Sequence, residues 1–299
     1  MKSYNEQLTA LRASGNLRHL PEVEHQGIWI LKEGKRMLNL SSNDYLGLAS
    51  RQDLQEEFQA STQDRFYPYS SSSSRLLTGN FSVYTKLEKQ IARSFDREAA
   101  LIFNSGYHAN TGILPALTDK QTLLLADKLV HASIIDGILL SGSPFLRYRH
   151  NDYDQLERLV QKNACQYETI IILTESIFSM DGDVADLNRL IAIKRQYPNI
   201  LLYVDEAHAI GARGKTGLGI AEAKKRLYPR DRSIGRYFRQ GVSVYGGLFG
   251  LFPYDTGISG QYDATAHIQY GPATVPNRMD SFIWSNSLVH EGTGESSSV

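Results

Sequence analysis

The chain has 299 residues, enough for one large domain or two modest ones, and its hydrophobic share of 41% excludes a disordered polymer. Lys+Arg and Asp+Glu each number 32, so no net field draws nucleic acid or an anionic membrane to it. The single cysteine, Cys165, cannot form an internal disulfide; that and the polar start MKSYNEQLTALRASGNLRHL, without an apolar signal-peptide core, point to a cytoplasmic protein, and no run approaches a membrane span.

Residues 3–14 predict a short amphipathic helix, and MLNL (37–40) a short strand; 1–45 is read as this helix and a connecting segment. From 46 to 223 apolar runs alternate with helical patterns. The predicted strands are AALIF (99–103), TLLLA (122–126), PFLRY (144–148), TIIILT (169–174) and ILLYVD (200–205). Helices are expected between them at about 82–95, 108–117, 131–141, 154–163 and 186–197. The strand runs are almost wholly apolar rather than alternating, as expected when helices cover both faces of a sheet. The fold class is therefore α/β, with a mostly parallel sheet and helices on both faces. After about Ala223 the character changes: from 231 onward there is no lysine, and Leu occurs only at 248, 251 and 288. Residues 224–299 are read as a poorly folded tail, foreign to the preceding domain.

Ligands of such sheets bind beyond the carboxyl ends of the strands, so the residues after each strand carry the chemistry. After 99–103 comes NSGYHAN (104–110), where the amides of Gly106 and Tyr107 open a helix and suit a phosphate. A plain strand-to-helix turn explains the same residues. After 122–126 comes DKLVHAS, whose His131 either lies against a planar cofactor or simply begins the next helix. After 169–174 comes ESIFSMDGD, in which Ser179 can donate to a phosphate or ring oxygen, although Asp181 and Gly182 also make an ordinary polar turn. Strand 200–204 runs into VDEAH. There Asp205 could keep a pyridine nitrogen protonated, since an adjacent anion raises the pKa of a cationic acid, or could be a metal or structural carboxylate.

VDEAH also looks like the acidic motif of a helicase, and AIGARGKT (209–216) fits a loose phosphate-binding loop. That loop must follow its own strand, whereas here the two motifs abut in the wrong order. The chain also lacks the basic excess that grips a nucleic-acid backbone. The match is a coincidence.

Seven motifs in order resemble the α-oxoamine synthase family of fold-type-I pyridoxal-phosphate enzymes: LSSNDYLGLA (40–49), SSRLLTGN (73–80), Leu87-Glu88, FNSGYHAN (103–110), DKLVHAS (127–133), TESIFSMDGD (174–183) and VDEAHAIGARGKTGLG (204–219). The resemblance covers about residues 1–222. It implies pyridoxal 5'-phosphate as cofactor. Gly106 and Tyr107 would contact it, the tyrosine near its phosphate; His131 would stack on the ring and border the substrate; Ser179 and His208 would hydrogen-bond it; and Asp205 would pair with the pyridine nitrogen. Arg18, within NLR (16–18), matches a family arginine facing the acyl substrate. The implied reaction is a decarboxylative condensation of L-alanine with a pimeloyl thioester, with glycine and acetyl-CoA as the alternative pair, in a homodimer.

Departures are Ser70 to Ser74 where the family carries glycines, and Tyr84 where a histidine is frequent. The large one is the lysine that the family joins to its cofactor, expected some thirty residues past the D-x-x-H motif; no lysine lies beyond Lys225. Lys215 sits too close to His208 to replace it. Permitted codons for residues 237–252, read one nucleotide later, spell T-F-G-K-A-L-A-S-M-G-A-Y-L-V-C, which supplies the missing segment. The same shift over 225–236 and 261–274 permits further family-like sequence. The expectation is a one-nucleotide frameshift near codons 222–225.

Overall fold

The computed structural model describes residues 3–62, 70–97, 99–220, 222, 237–238 and 248–252. It divides into two compact units, Met1–Ser42 and Asn43–Val299. In the first unit, α1 (Tyr4–Ala13) starts at a capping box: the Ser3 hydroxyl accepts from the Glu6 amide, and the Glu6 carboxylate accepts from the Ser3 amide. A small antiparallel sheet follows, β1 (Glu24–Gln26), β2 (Trp29–Lys32) and β3 (Lys35–Leu38). The β2–β3 turn is Glu33-Gly34, both at positive φ (51° and 74°), which matches the twist of a two-residue hairpin. Arg36 lies over the Trp29 ring at 4.4 Å.

The second unit begins with the 3-10 turn Leu48–Ser50 and α2 (Gln52–Thr62). α3 (Ser82–Ser94) follows, burying Leu87 and Ile91 and leading to β4 (Ala99–Phe103). The centre is a four-stranded parallel sheet in the order β6 (Phe145–Tyr148), β5 (Thr122–Asp127), β7 (Thr169–Glu175), β8 (Ile200–Asp205). Helices α4 (Gly106–Leu117), α5 (Ala132–Ser141), α6 (Tyr153–Asn163) and α7 (Leu187–Gln196) connect or flank these strands.

The apolar runs have a direct cause. Successive side chains of a strand point to opposite faces. Leu123, Leu125, Ile170 and Ile172 enter one core with Leu156, Val160 and Leu190 of α6 and α7. Leu124, Ala126, Ile171 and Leu173 enter the other with Ile113, Leu114, Ile134 and Ile138 of α4 and α5. Both faces are covered by helices, so both register positions are apolar along the middle of each strand and polar residues gather at the ends. α4 and α5 approach so closely that a Cβ on Gly137 would stand 2.3 Å from the Asn110 carbonyl oxygen, which only glycine permits.

The predicted strands reappear within a residue or two, and α4 starts at Gly106, two residues before the expected 108. Sequence periodicity named neither α2 nor the β1–β2 hairpin. Within 224–299, the described strands are β9 (Tyr237–Phe238) and β10 (Leu248–Phe252). β10 runs antiparallel to β4, from Leu248 opposite Phe103 to Phe252 opposite Ala99, and pairs with β9 on its other edge. The sequence reading placed no strand there, and the rest of the tail expected to be poorly folded lies outside the described residues. Among the described residues no helix is long and apolar enough to cross a membrane.

Candidate active site

The carboxyl ends of β5, β7 and β8 lie side by side, so the loops after them converge. β8 ends in Asp205, 1% exposed. One carboxylate oxygen accepts from the Ala207 amide at 3.0 Å, and the other faces the Asn110 side-chain amide at 3.4 Å. Asn110 belongs to α4, and it also donates to the Ser133 hydroxyl at 2.9 Å and accepts from the Tyr203 hydroxyl. Ser133 lies at the start of α5, where its hydroxyl meets His131 Nδ1 at 2.7 Å and its amide donates to the same nitrogen at 3.2 Å. An amide can only donate, so Nδ1 is an acceptor and the proton of the neutral ring resides on Nε2. Asn110, Ser133, Tyr203 and Asp205 are all buried, so a continuous polar chain links the His131 ring to Asp205 beneath the site.

His131 is itself the N-cap of α5, and its backbone amide donates to Glu175 at the end of β7 at 2.5 Å. The two expectations for this residue are therefore compatible: it begins the helix and its ring is held at the strand ends. Gly106 and Tyr107 form the first turn of α4, whose N-cap is Ser105, with its hydroxyl accepting from the His108 amide at 3.1 Å. The Tyr107 ring is half exposed and its hydroxyl donates to Asp136 at 3.0 Å; that hydrogen bond, then the charge of Asp136, raises the phenol above its ordinary pKa. His208 is half-buried, with Nδ1 2.7 Å from the hydroxyl of Tyr45, a residue of the SSNDYLG segment. Partial burial raises the Tyr45 pKa.

Ser179 is placed differently. It sits on the exposed turn of a short hairpin closed by the Ile177–Val184 bridge, and its hydroxyl does not join the Asp205–His131 chain. Arg18 is exposed and belongs to the first unit. Sequence reasoning missed Asn110, Ser133 and Tyr203. The available signal was polar residues within otherwise apolar helix and strand patterns.

Two further motifs brace the site from outside. Arg75 of SSRLLTGN donates to Glu88 at 3.0 Å and to Asn80 at 2.9 Å, and lies over the Tyr84 ring at 4.4 Å. Glu88 also accepts from the Ile102 amide at 3.0 Å, which ties both motifs to β4. Tyr84 thus has a packing role of its own. In the glycine-rich loop 209–219, the Glu222 carboxylate accepts from the amides of Thr216 and Leu218, each at 3.1 Å, and from the Thr216 hydroxyl at 2.8 Å. These loop donors are turned to an internal carboxylate, unlike those of a nucleotide-phosphate cradle.

This arrangement of a parallel sheet between helix layers, with polar residues at the strand ends, is the fold-type-I transferase architecture. The chain belongs to the aminotransferase class I and II family, whose model matches residues 35–231. Among curated proteins, a relative from Haemophilus influenzae named "Putative 8-amino-7-oxononanoate synthase" is 56% identical over 237 residues, 79% of this chain and 62% of that protein. One of the same name from Neisseria gonorrhoeae is 54% identical over 244 residues, 82% of this chain and 64% of that protein. The chain thus spans less than two thirds of the length of these relatives. Among solved structures, serine palmitoyltransferase from S. paucimobilis shares the fold, with a TM-score of 0.78 at 23% identity over 96% of this chain and 74% of that one. The 8-amino-7-oxononanoate synthase of Francisella tularensis gives a TM-score of 0.63 at 25% identity over 85% of this chain and 69% of that one.

Proposed function

We propose that this chain carries the cofactor-binding portion of a pyridoxal-phosphate-dependent synthase that condenses L-alanine with a pimeloyl thioester and releases CO2, as 8-amino-7-oxononanoate synthases do. The observation that carries it is Asp205: a buried carboxylate at the end of the central sheet, wired through Asn110 and Ser133 to the His131 ring. The donor set fits the cofactor. A carboxylate can hold a pyridine nitrogen, an imidazole can cover a ring face, and the first-turn amides of Gly106 and Tyr107 can receive a phosphate. By the family resemblance His208, three residues beyond Asp205, would also hydrogen-bond the cofactor; Ser179, on an exposed turn of the loop after β7, would do so only if that turn lies against it. When bound, pyridoxal phosphate supplies an electron sink for the bond broken at the amino acid's α-carbon. Asp205 would keep the ring nitrogen protonated, which would preserve that sink. His131 would cover the ring and border the amino-acid substrate. By the same resemblance Arg18 would face the acyl substrate, and the working form would be a homodimer.

The reading includes the chain's missing lysine. Support comes from the absence of lysine beyond Lys225, from a family match that stops at residue 231, and from the family-like segments permitted in the next reading frame. The source is a one-nucleotide shift near codons 222–225. Without the lysine this chain lacks the base that removes the α-proton, so synthase activity is absent. Two measurements test the proposal. Sequencing the gene must show codons around Gln240 and Gly241 that spell lysine in the next frame. The restored protein must release CO2 with alanine and pimeloyl thioester; turnover confined to glycine and acetyl-CoA would assign the other member of the family.

A further inference from the structure

We propose that His150 is a cationic positioning residue that clamps together the loops after β5, β6 and β7, and thereby holds the segments bearing His131 and Ser179. The strands concerned end side by side, with Asp127 of β5 opposite Tyr148 of β6 and Ala126 opposite Leu173 of β7. His150, two residues past β6, places Nδ1 2.9 Å from Asp127 and Nε2 2.5 Å from Asp183. The Asn151 side-chain nitrogen stands 3.2 Å from the same Nε2 but donates at the shorter 2.8 Å to the same Asp183 oxygen, which leaves Nε2 facing the anion. Ionised carboxylates only accept, so both ring nitrogens can donate only in the imidazolium; a neutral ring turns a lone pair toward one of the anions. Asp127 is fully buried and also accepts from the amides of Leu129 at 2.8 Å and Asn151 at 2.9 Å, which shapes the turn leading to His131. Asp183 also accepts from the Asn151 side chain at 2.8 Å, and its second oxygen is buried without a partner among the described residues. The ring meets the edge of Phe178, the neighbour of Ser179, at 4.4 Å and 86°. One side chain on the loop after β6 therefore touches the end of β5 and the loop after β7, and the segments following both strands carry candidate site residues.

Burial alone would lower the His150 pKa, but the hydrogen bonds and charges of Asp127 and Asp183 outweigh it and the net direction is upward. The surrounding titratable groups are Tyr148, pushed well above its ordinary value by burial, Tyr153, pushed up to about 12 by burial, Asp186, and the Arg149–Asp152 pair on the adjoining turn. The two phenols stay neutral where His150 titrates. A raised folded pKa stabilises the protein in full below the unfolded value of about 6.5, and the contribution is lost as pH rises through the folded value.

The test uses the full chain. Imidazole resonances are titrated in the wild type and in Asp183→Asn, and unfolding is followed from about pH 6 to about pH 9 in the wild type and in His150→Gln. One histidine is expected to titrate above the ordinary range and to shift downward in Asp183→Asn. The stability gap between the wild type and His150→Gln is expected to be widest at low pH and to close across that midpoint. Absence of such a histidine, or parallel stability curves, overturns the clamp. If His150→Gln does not fold, the resonance titration decides. The link to the site rests on the proposed function and is read from pyridoxal phosphate binding: affinity falls across the same midpoint in the wild type and is flat in His150→Gln. A binding profile indifferent to His150 overturns its positioning role, whereas a normal clamp titration with no cofactor binding at any pH overturns the proposed function alone.

Discussion

Replacing Tyr203 by Phe removes the hydroxyl that braces Asn110, the link between Ser133 and Asp205, and leaves the ring where it packs, among Phe103, Ile113, Leu124 and Leu173. The lost hydroxyl is the donor to the Asn110 side-chain oxygen, and Asn110 is fully buried. Leaving such an acceptor without its donor costs about 1–3 kcal/mol, well above the ~1 kcal/mol net value of an ordinary hydrogen bond. In a domain of this size each kcal/mol lowers Tm by about 2–4 °C, so the variant should melt several degrees below the wild type. Far-ultraviolet circular dichroism against temperature and urea reads the change, and an unaltered denaturant slope shows that only stability moved. A difference smaller than about 0.5 kcal/mol, the range of neutral surface changes, would refute the idea that the buried chain is fully engaged.

Gly137→Ala should destabilise by about 1–3 kcal/mol, because the added methyl meets the Asn110 carbonyl and the Leu114 side chain, and urea unfolding measures it. Arg75→Met should cost about 1.5–3 kcal/mol by stripping Glu88 of its charged partner beside β4, and thermal unfolding reads it; the neighbouring surface variant Lys86→Met is the control expected to change little. Borohydride treatment of this chain with pyridoxal phosphate should leave no pyridoxyl adduct by mass spectrometry, whereas the frame-restored protein should gain one on the lysine encoded across Gln240 and Gly241. A covalent adduct on this chain would show that another lysine substitutes.

The sheet was legible because its strands are buried on both faces, so every position of TLLLAD or TIIILTE is constrained and the run shows as continuous apolar sequence. Helix α4 read two residues short because Asn104 to Tyr107 look like a turn, and only the Ser105 cap shows that Gly106 is already helical. The β1–β2 hairpin and α2 were not legible: four-residue strands give too little alternation, and QDLQEEFQAST offers only Leu54 and Phe58 as an apolar pair. Asp205 and His131 stood out as polar residues just after apolar strands. Asn110, Ser133 and Tyr203 did not, because a hydrogen-bond chain drawn from α4, α5 and β8 exists only after the helices pack. His150 hid for the same reason, since one of its carboxylates ends β5 and the other lies in the loop after β7.

Asp205→Asn keeps the size of the side chain and removes its charge, so equilibrium titration with pyridoxal 5'-phosphate, followed by protein fluorescence, isolates the carboxylate's part in binding. Saturable uptake by the wild type and at least roughly tenfold weaker uptake by the variant, about 1.4 kcal/mol, is the predicted result. No saturable uptake by the wild type, or equal affinity in both proteins, would contradict a pyridine ring held at the end of β8.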